Sequence, residues 1–557
     1  MPGHSPTGTP KRSSGCSRSD ERPHSSRATE EATISTGSHT DSAENAARPC
    51  DILVVGGGIN GAGIARDAAG RGFKVMLCEK DDLGNHTSSA STKLIHGGLR
   101  YLELLDFALV RHALTEREVL LRAAPHIIWP LRFILPHHRE LRPRWLIRLG
   151  LFLYDHLGGR KRLPASNAVD LTKHLAGAPL KDEFTHAFEY SDCWVQDSRL
   201  VSLSVLDAHE RGCDVRVRTE VTDMKRATGC WQVGLFDHLT GKASTVQARA
   251  IVNASGPWVV RTLDLDAEHD VRHGVRLVRG SHIVVPKIFD HDYAYIFQNA
   301  DGRIIFAIPY ESDFTLIGTT DVDVDGEPGP AGISDEEIRY LCDAAGRYFR
   351  KPIGRDDVVW DYSGIRPLYD DASNSASKVT RDYKLDLDTR DGAPVLSVYG
   401  GKITTFRKLA EESVDMLGKE LGIRDGDWTE TAPLPGGDFA DADFGAFLAA
   451  MRERYPWMDA ALLHDYCRNY GTRIERLVGE ARSMDGLGEH FGGHLYAAEV
   501  RYLIAEEWAR AADDILWRRS RKGLHVPPGT GGKLDAWISE RYDFGVARPH
   551  RPEGTPS

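Results

Sequence analysis

The chain has 557 residues, 41% of them hydrophobic and 27% charged, enough for two to four domains with real cores. A formal net charge of -11 leaves no basic footprint for a nucleic acid, and no apolar run approaches the roughly 18 residues that span a bilayer. The eight cysteines are scattered without a CxxC pair, which fits reduced thiols in a cytoplasmic setting; no disulfide frame and no metal are expected.

Residues 1–49 are rich in Ser, Thr, Gly, Pro and mixed charge and poor in large apolar side chains, so a disordered tail is expected there. Asp20, Glu21, Glu30 and Glu31 argue against a cleaved transit peptide, and the start lacks the apolar stretch of a secretory signal. Order begins at "DILVVGGGINGAGIARDAAGRGFKVMLCEKDDL". Asp51 to Val55 reads as a strand, Gly56 to Gly61 as a tight turn, Ala62 to Gly70 as a helix and Val75 to Cys78 as a second strand ending at Glu79. In this GxGxxG unit Gly56 makes the turn, Gly58 lets backbone approach a pyrophosphate and Gly61 allows close helix packing; Asn60 lies in the same turn. Glu79 is placed to accept hydrogen bonds from a ribose diol, and its charge disfavours NADP. FAD and NAD both remain open on this unit alone.

The strip "SSASTKLIHGGLRYLE" sets four hydroxyls and a lysine before His96, a glycine pair, Arg100 and Tyr101. Residues 139–162, "RELRPRWLIRLGLFLYDHLGGRKR", hold seven Arg or Lys against two acids around large apolar side chains. That pattern suits either a helix resting on anionic lipid or a core helix with solvated ends. The segment "ARAIVNASGPW" reads as a buried strand running into Ala254, Ser255 and Gly256, as expected of a nucleotide domain interrupted by insertions. Between about 270 and 355 strand patterns alternate with turns, which predicts an antiparallel sheet. The stretch "DVDVDGEPGPAG" mimics a calcium loop, but its twelfth position is Gly332 rather than Glu, so calcium is rejected. Gly400, Gly401 and Lys402 open a helix over "ITTFRKLAEESVDML". From 435 to 525 the pattern is helical, with Arg518, Arg519, Arg521 and Lys522 as a basic end, and the domain is expected to serve packing and a subunit or partner surface; beyond Val526 the chain is expected to fray.

The order of the blocks "VVGGGINGAGIARDAAGRG", "TSSASTKLIHGGLRYLE", "EYSDCWVQDSRLV", "VNASGPWV", "GSHIVVP", "LIGTTD", "YSGIRPL", "TRDY" and "GGKITTFRKLAE" resembles the aerobic, FAD-dependent glycerol-3-phosphate dehydrogenase family in its bacterial form, over about residues 51 to 525. The resemblance implies an α/β fold: a Rossmann-like FAD-binding domain (50–270, with 130–165 inserted, and 356–430), an antiparallel β-sheet substrate domain (271–355) and a C-terminal α-helical domain (431–530), with 531–557 frayed. It implies FAD as cofactor, oxidation of sn-glycerol 3-phosphate to dihydroxyacetone phosphate, and electrons passed to membrane quinone. A peripheral place on the cytoplasmic face of the membrane and a homodimer go with it. An oxygen-using oxidase, an amino-acid or hydroxy-acid oxidase and a non-catalytic flavoprotein are the rival readings.

By the same resemblance Ser88, Ser89, Ser91, Thr92, Lys93 and Leu94 line the FAD, and His96 with Gly97 and Gly98 lies beside its ring, where bare backbone avoids collision. Ala254, Gly256, Gly400, Gly401, Lys402 and Thr404 complete the cofactor set. Arg100, Arg366, Arg381 and Lys402, with Tyr101, form the substrate pocket, guanidinium forks being matched to phosphate oxygens. His282 is favoured as proton acceptor, with His96 and Arg100 shaping the flavin side.

Overall fold

The computed structural model describes residues 49–102, 106–159, 162–266, 274–299, 301–369, 383–422 and 426–545, the side chains of Arg100 and Tyr101 excepted. The expected tail (1–48), Arg381 and residues 546–557 lie outside this set.

Two sheets carry the molecule. The first is parallel at its centre: Cys50–Val55 pairs with Val75–Glu79 on one side and with Lys242–Asn253 on the other, and Val395–Tyr399 follows beyond. These strands are near-continuous apolar runs because both faces are covered. The helix Ile59–Gly70 packs on one face with Asp197–Glu210 and Phe406–Leu421, in a core that includes Ile52, Val54, Ala65, Leu206 and Leu409. That helix starts three residues earlier than expected, since Gly58 already stands at its N-cap inside the motif. The helix after the second glycine pair starts later, at Phe406, because Gly400 and Gly401 adopt φ of +76° and +99° and hold a loop open first.

The second sheet has ten strands among the described residues and reaches beyond the segment 271–355. Val275–Pro286 runs antiparallel between Phe314–Gly318 and Trp360–Tyr369, while Ile128–His137 and His186–Val195 extend the sheet through Ala294–Gln298. The extra width comes from strands of the first half of the chain that pair into this sheet rather than the parallel one. One face packs on the helix Asp335–Gly346 through Ile283, Ile317 and Leu341; the other turns toward the 87–94 loop.

The C-terminal helices own a separate core around Leu462, Tyr466, Leu503 and Ile515. Contrary to expectation, the segment just after Val526 is ordered: Thr530–Arg541 is a helix whose Leu534, Trp537 and Ile538, at three and four spacing, enter that core. The basic end lies inside the protein. Arg518, Arg519, Arg521 and Lys522 are all buried, paired with carboxylates that include Asp82, Glu311 and Glu499. No described helix is long and apolar enough to cross a membrane.

His126 lies at the seam between the first and C-terminal domains, beside Gly436, fully buried and without a hydrogen-bond partner on either ring nitrogen. Burial, with Arg199 and Arg468 nearby, lowers its pKa to about 3. The unfolded chain therefore binds a proton below about pH 6.5 that the folded one refuses, so stability falls as pH drops from 6.5 toward 3. His126→Leu should remove on the order of 2 kcal/mol of that loss at pH 5. Thermal unfolding midpoints at pH 7 and pH 5 check this: the drop between them should be smaller in the variant, and an equal drop refutes it.

Candidate functional site

The GxGxxG turn is built for close backbone approach. A Cβ at Gly61 would lie 1.9 Å from the Gly56 carbonyl oxygen, and one at Gly56, where φ is +108°, would lie 2.6 Å from the Ala254 carbonyl oxygen. No side chain fits at either place. Around this turn opens a cavity of about 350 Å3 lined by Gly56, Gly58, Asn60, Glu79, Ser88, Ala254, Gly256, Gly400 and Gly401. Ser88 Oγ accepts the Ile59 N–H (2.9 Å) at the start of the helix, and Asn60 Nδ2 donates to the Gly400 carbonyl (3.0 Å).

Glu79 closes one end. Its carboxylate accepts N–H groups of Gly57 (2.6 Å) and Asp81 (2.8 Å); burial pushes its pKa up against those two donors. A carboxylate offers about four lone-pair sites, so capacity remains for a ribose diol. His86 and Asp81 are hydrogen-bonded at 2.7 Å beside it, and the three groups bring ligand atoms within 4.8 Å, all at this corner of the cavity. Asn60 Oδ1 is buried without a partner and belongs to a residue that lines the cavity. A dinucleotide fits this donor set: bare backbone and a helix N-terminus for the pyrophosphate, an acid for the ribose and an orphaned acceptor between them.

Beyond the glycines, the 87–94 loop meets the second sheet. Thr92 Oγ1 lies 3.0 Å from His282 Nε2, Thr87 Oγ1 donates to the Ile365 carbonyl (2.6 Å) and Tyr362 donates to the Ser91 carbonyl (2.9 Å). Strand alternation explains the wall. His282 stands opposite Gly318 on one side and Tyr362 on the other, and Gly318 in turn faces Phe306. Directly paired residues share a face. A Cβ at Gly318 would sit 2.0 Å from the His282 ring, one at Gly280 2.2 Å from the Arg366 guanidinium, and one at Gly364 2.8 Å from Ala90. Three glycines thus hollow the sheet so that an imidazole, a guanidinium and the loop fill the space. Tyr362 stacks on His282 with centroids 4.8 Å apart.

His282 is 1% exposed. Burial, then Arg366 and Lys93, lower its pKa well below the ordinary value, so the ring is neutral at working pH. Arg366 is paired with Asp321 and donates to Thr319 Oγ1 (3.1 Å). Asp321 and Asp323 of the calcium-like stretch are thus engaged by Arg366 and Arg276.

Other expected residues sit around this core. Lys93 is buried with φ of +60°, and its ammonium donates to both Asp197 oxygens (2.8 and 3.0 Å) and to the Ser89 carbonyl. Ser91 donates to Asp197 as well (2.8 Å), and Ser89 to the His86 carbonyl. Leu94 pairs with Trp194 in a short strand. The Gly97 N–H donates to Tyr154 (2.8 Å), where a Cβ would meet Leu114 at 2.5 Å. His96 is half-buried with its ring edge-on to Phe306, Lys402 is half-buried beside the glycine pair, and Thr404 is buried under it. Arg381 and the side chains of Arg100 and Tyr101 lie outside the described residues. Sequence reasoning missed Tyr362, Asp197 and Asp321. The signal for Tyr362 was present: Tyr362, Gly364 and Arg366 alternate as one strand face, opposite Gly280 and His282.

Residues 51–403 match the family model described as FAD dependent oxidoreductase, and residues 428–528 match the C-terminal domain of alpha-glycerophosphate oxidase. D-erythritol 1-phosphate dehydrogenase of Brucella abortus is 52% identical over 489 residues, 88% of this chain and 97% of that protein. The aerobic glycerol-3-phosphate dehydrogenase of Escherichia coli is 48% identical over 491 residues, again 88% and 97%. The chain belongs to the FAD-dependent glycerol-3-phosphate dehydrogenase family. A solved glycerol-3-phosphate dehydrogenase of Bacillus halodurans in complex with FAD shares the fold of this family member: TM-score 0.70 at 26% identity, over 88% of this chain and 89% of that one. The chain is an FAD-dependent oxidoreductase, and the cavity at the GxGxxG turn is suited to that cofactor.

Gly61→Ala should therefore yield protein with at least tenfold less bound flavin, read as the ratio of 450 to 280 nm absorbance; a variant purified with a wild-type ratio contradicts the assignment.

Proposed function

We propose that the protein oxidises sn-glycerol 3-phosphate to dihydroxyacetone phosphate and passes the electrons to membrane quinone. The observation that carries this reading is the neutral, buried His282 beside the loop 87–94 with the cationic Arg366 on the same sheet face. FAD, when bound, supplies the two-electron acceptor that takes the hydride from the carbinol carbon. His282 takes the hydroxyl proton at Nε2, the nitrogen that Thr92 holds in line, and Tyr362 fixes the plane of the ring. Arg366 binds the phosphate, joined by Arg100, Arg381 and Lys402, the cations that the sequence resemblance implies. The lowered pKa of His282 gives the phosphate a second role. Arg366 weakens the base, and an anion at Arg366 offsets that charge, so the phosphate strengthens the group that receives the proton.

D-erythritol 1-phosphate is the second reading, favoured by the 52% identity to a protein named for it. Both are short polyol phosphates and use the same base and anion site. Anaerobic addition of each should separate them: the reading predicts full bleaching of the flavin by sn-glycerol 3-phosphate and none by glycerol. Bleaching by D-erythritol 1-phosphate alone overturns the substrate, and bleaching by neither overturns the class. His282→Gln should slow flavin reduction by roughly 10²-fold or more in stopped flow, the usual range for a positioned base; an unchanged rate removes His282 from the role.

The membrane reading rests on the helix Arg144–Leu157. Leu151, Tyr154 and Asp155 are buried, but Trp145 (69% exposed), Leu149 (48%) and Phe152 (49%) form an outward stripe at four and three spacing. Arg139, Arg142, Arg144 and Arg148 are exposed beside it. An apolar stripe flanked by arginines suits the headgroup region of an anionic leaflet on the cytoplasmic face. Replacing Trp145 and Phe152 by Glu should weaken co-sedimentation with anionic vesicles at least tenfold; equal binding removes this helix from the membrane contact.

A further inference from the structure

The C-terminal helices have a core of their own, and their buried arginines reach the wall of the cofactor cavity. Glu79, Lys80, Gly84 and His86 line that cavity, and Asp82 sits in the same segment, 1% exposed. Asp82 Oδ2 accepts Arg518 Nε (2.6 Å) and Arg519 Nη1 (2.8 Å), while Oδ1 accepts Arg519 Nη2 (2.7 Å). Both arginines belong to the π-helix Asp514–Arg519. Such turns are rare and recur at functional sites; here one brings two consecutive guanidiniums onto a single carboxylate. Burial pushes the Asp82 carboxyl up, but Arg519 and Arg518 outweigh it and hold it down to about 2.

The grip is itself braced. Arg518 donates to Asp514 (2.6 Å), to which Arg218 also donates (2.7 Å), and the Arg218 N–H donates to the Asp81 carbonyl (3.0 Å). Arg519 donates to the Glu507 carbonyl (2.9 Å), and the Glu507 carboxylate accepts Arg199 (2.9 Å). Asp81 and Asp82 are therefore tied to the C-terminal domain immediately after the acid placed for the ribose.

We propose that the C-terminal domain is a clamp on the ribose end of the FAD cavity, so that docking of this domain and retention of FAD are coupled. Asp82, Arg518 and Arg519 are positioning residues: they touch the wall, not the cofactor. Docking fixes the 79–87 segment in the conformation the cofactor needs, and by reciprocity a cofactor bound against that wall stabilises the docked domain. The inference rests on the FAD assignment and is independent of the substrate.

Hydrogen exchange of the wild-type chain, FAD-loaded against FAD-stripped, tests it without any substitution. Stripping should speed exchange of residues 510–522 at least tenfold, together with 79–87. Arg518→Lys, which keeps the charge but loses the fork, should weaken FAD binding at least tenfold in a fluorescence titration of the deflavinated protein. Exchange of 510–522 that ignores FAD, or an Arg518→Lys protein with wild-type FAD affinity, overturns the proposal. Because neither readout contains polyol phosphate, a wrong substrate cannot imitate that failure.

Discussion

The room made for one imidazole governs the rest of the site. His282 lies on the face of a β-sheet where a side chain at position 318 would occupy the ring's own space. With glycine there and at 280 and 364, the sheet face is hollow, and His282, Arg366 and the 87–92 loop settle into the hollow together. This joins parts of the chain far apart in sequence, since the Thr92 to His282 contact spans 190 residues. Burial under Tyr362 then keeps the ring neutral. The packing of the ring and its neutrality follow from the same three missing side chains.

Charge in this acidic protein is arranged locally. Lys93 is matched by Asp197, Arg366 by Asp321, Arg199 by Glu507 and Asp82 by two arginines, each pair partly or wholly removed from water. Breaking one side of a buried pair costs several kcal/mol, roughly 3–5, whereas the intact pair adds little net stability. These pairs therefore act mainly as geometric constraints. Asp197 holds the 87–94 loop from the start of a helix, and its grip on Lys93 sustains a left-handed backbone that a free lysine would leave.

The parallel core and the GxGxxG turn were readable from the sequence because local rules determine them: apolar runs, glycines at fixed offsets and an acid at the strand end. His282 and Arg366 were also named, through resemblance to a family. What escaped was relational. Nothing local says that Gly318 faces His282, because register is set by the pairing of distant strands. The burial of Arg518 and Arg519 was illegible for the same reason: their carboxylate partner is more than 400 positions away. The final helix, residues Thr530–Arg541, was missed because Gly and Pro just before it outweighed a short apolar stripe.

The central claim is that one hollowed sheet face holds both the proton acceptor and the phosphate site. A crystal structure of the FAD-loaded protein with a non-reacting polyol phosphate analogue tests it most directly. The account predicts the carbinol oxygen within hydrogen-bond reach of His282 Nε2, roughly 2.6–3.2 Å, and phosphate oxygens on Arg366. A carbinol oxygen bound to another group, with His282 still closed on Thr92 and Arg366 still closed on Asp321, would contradict it.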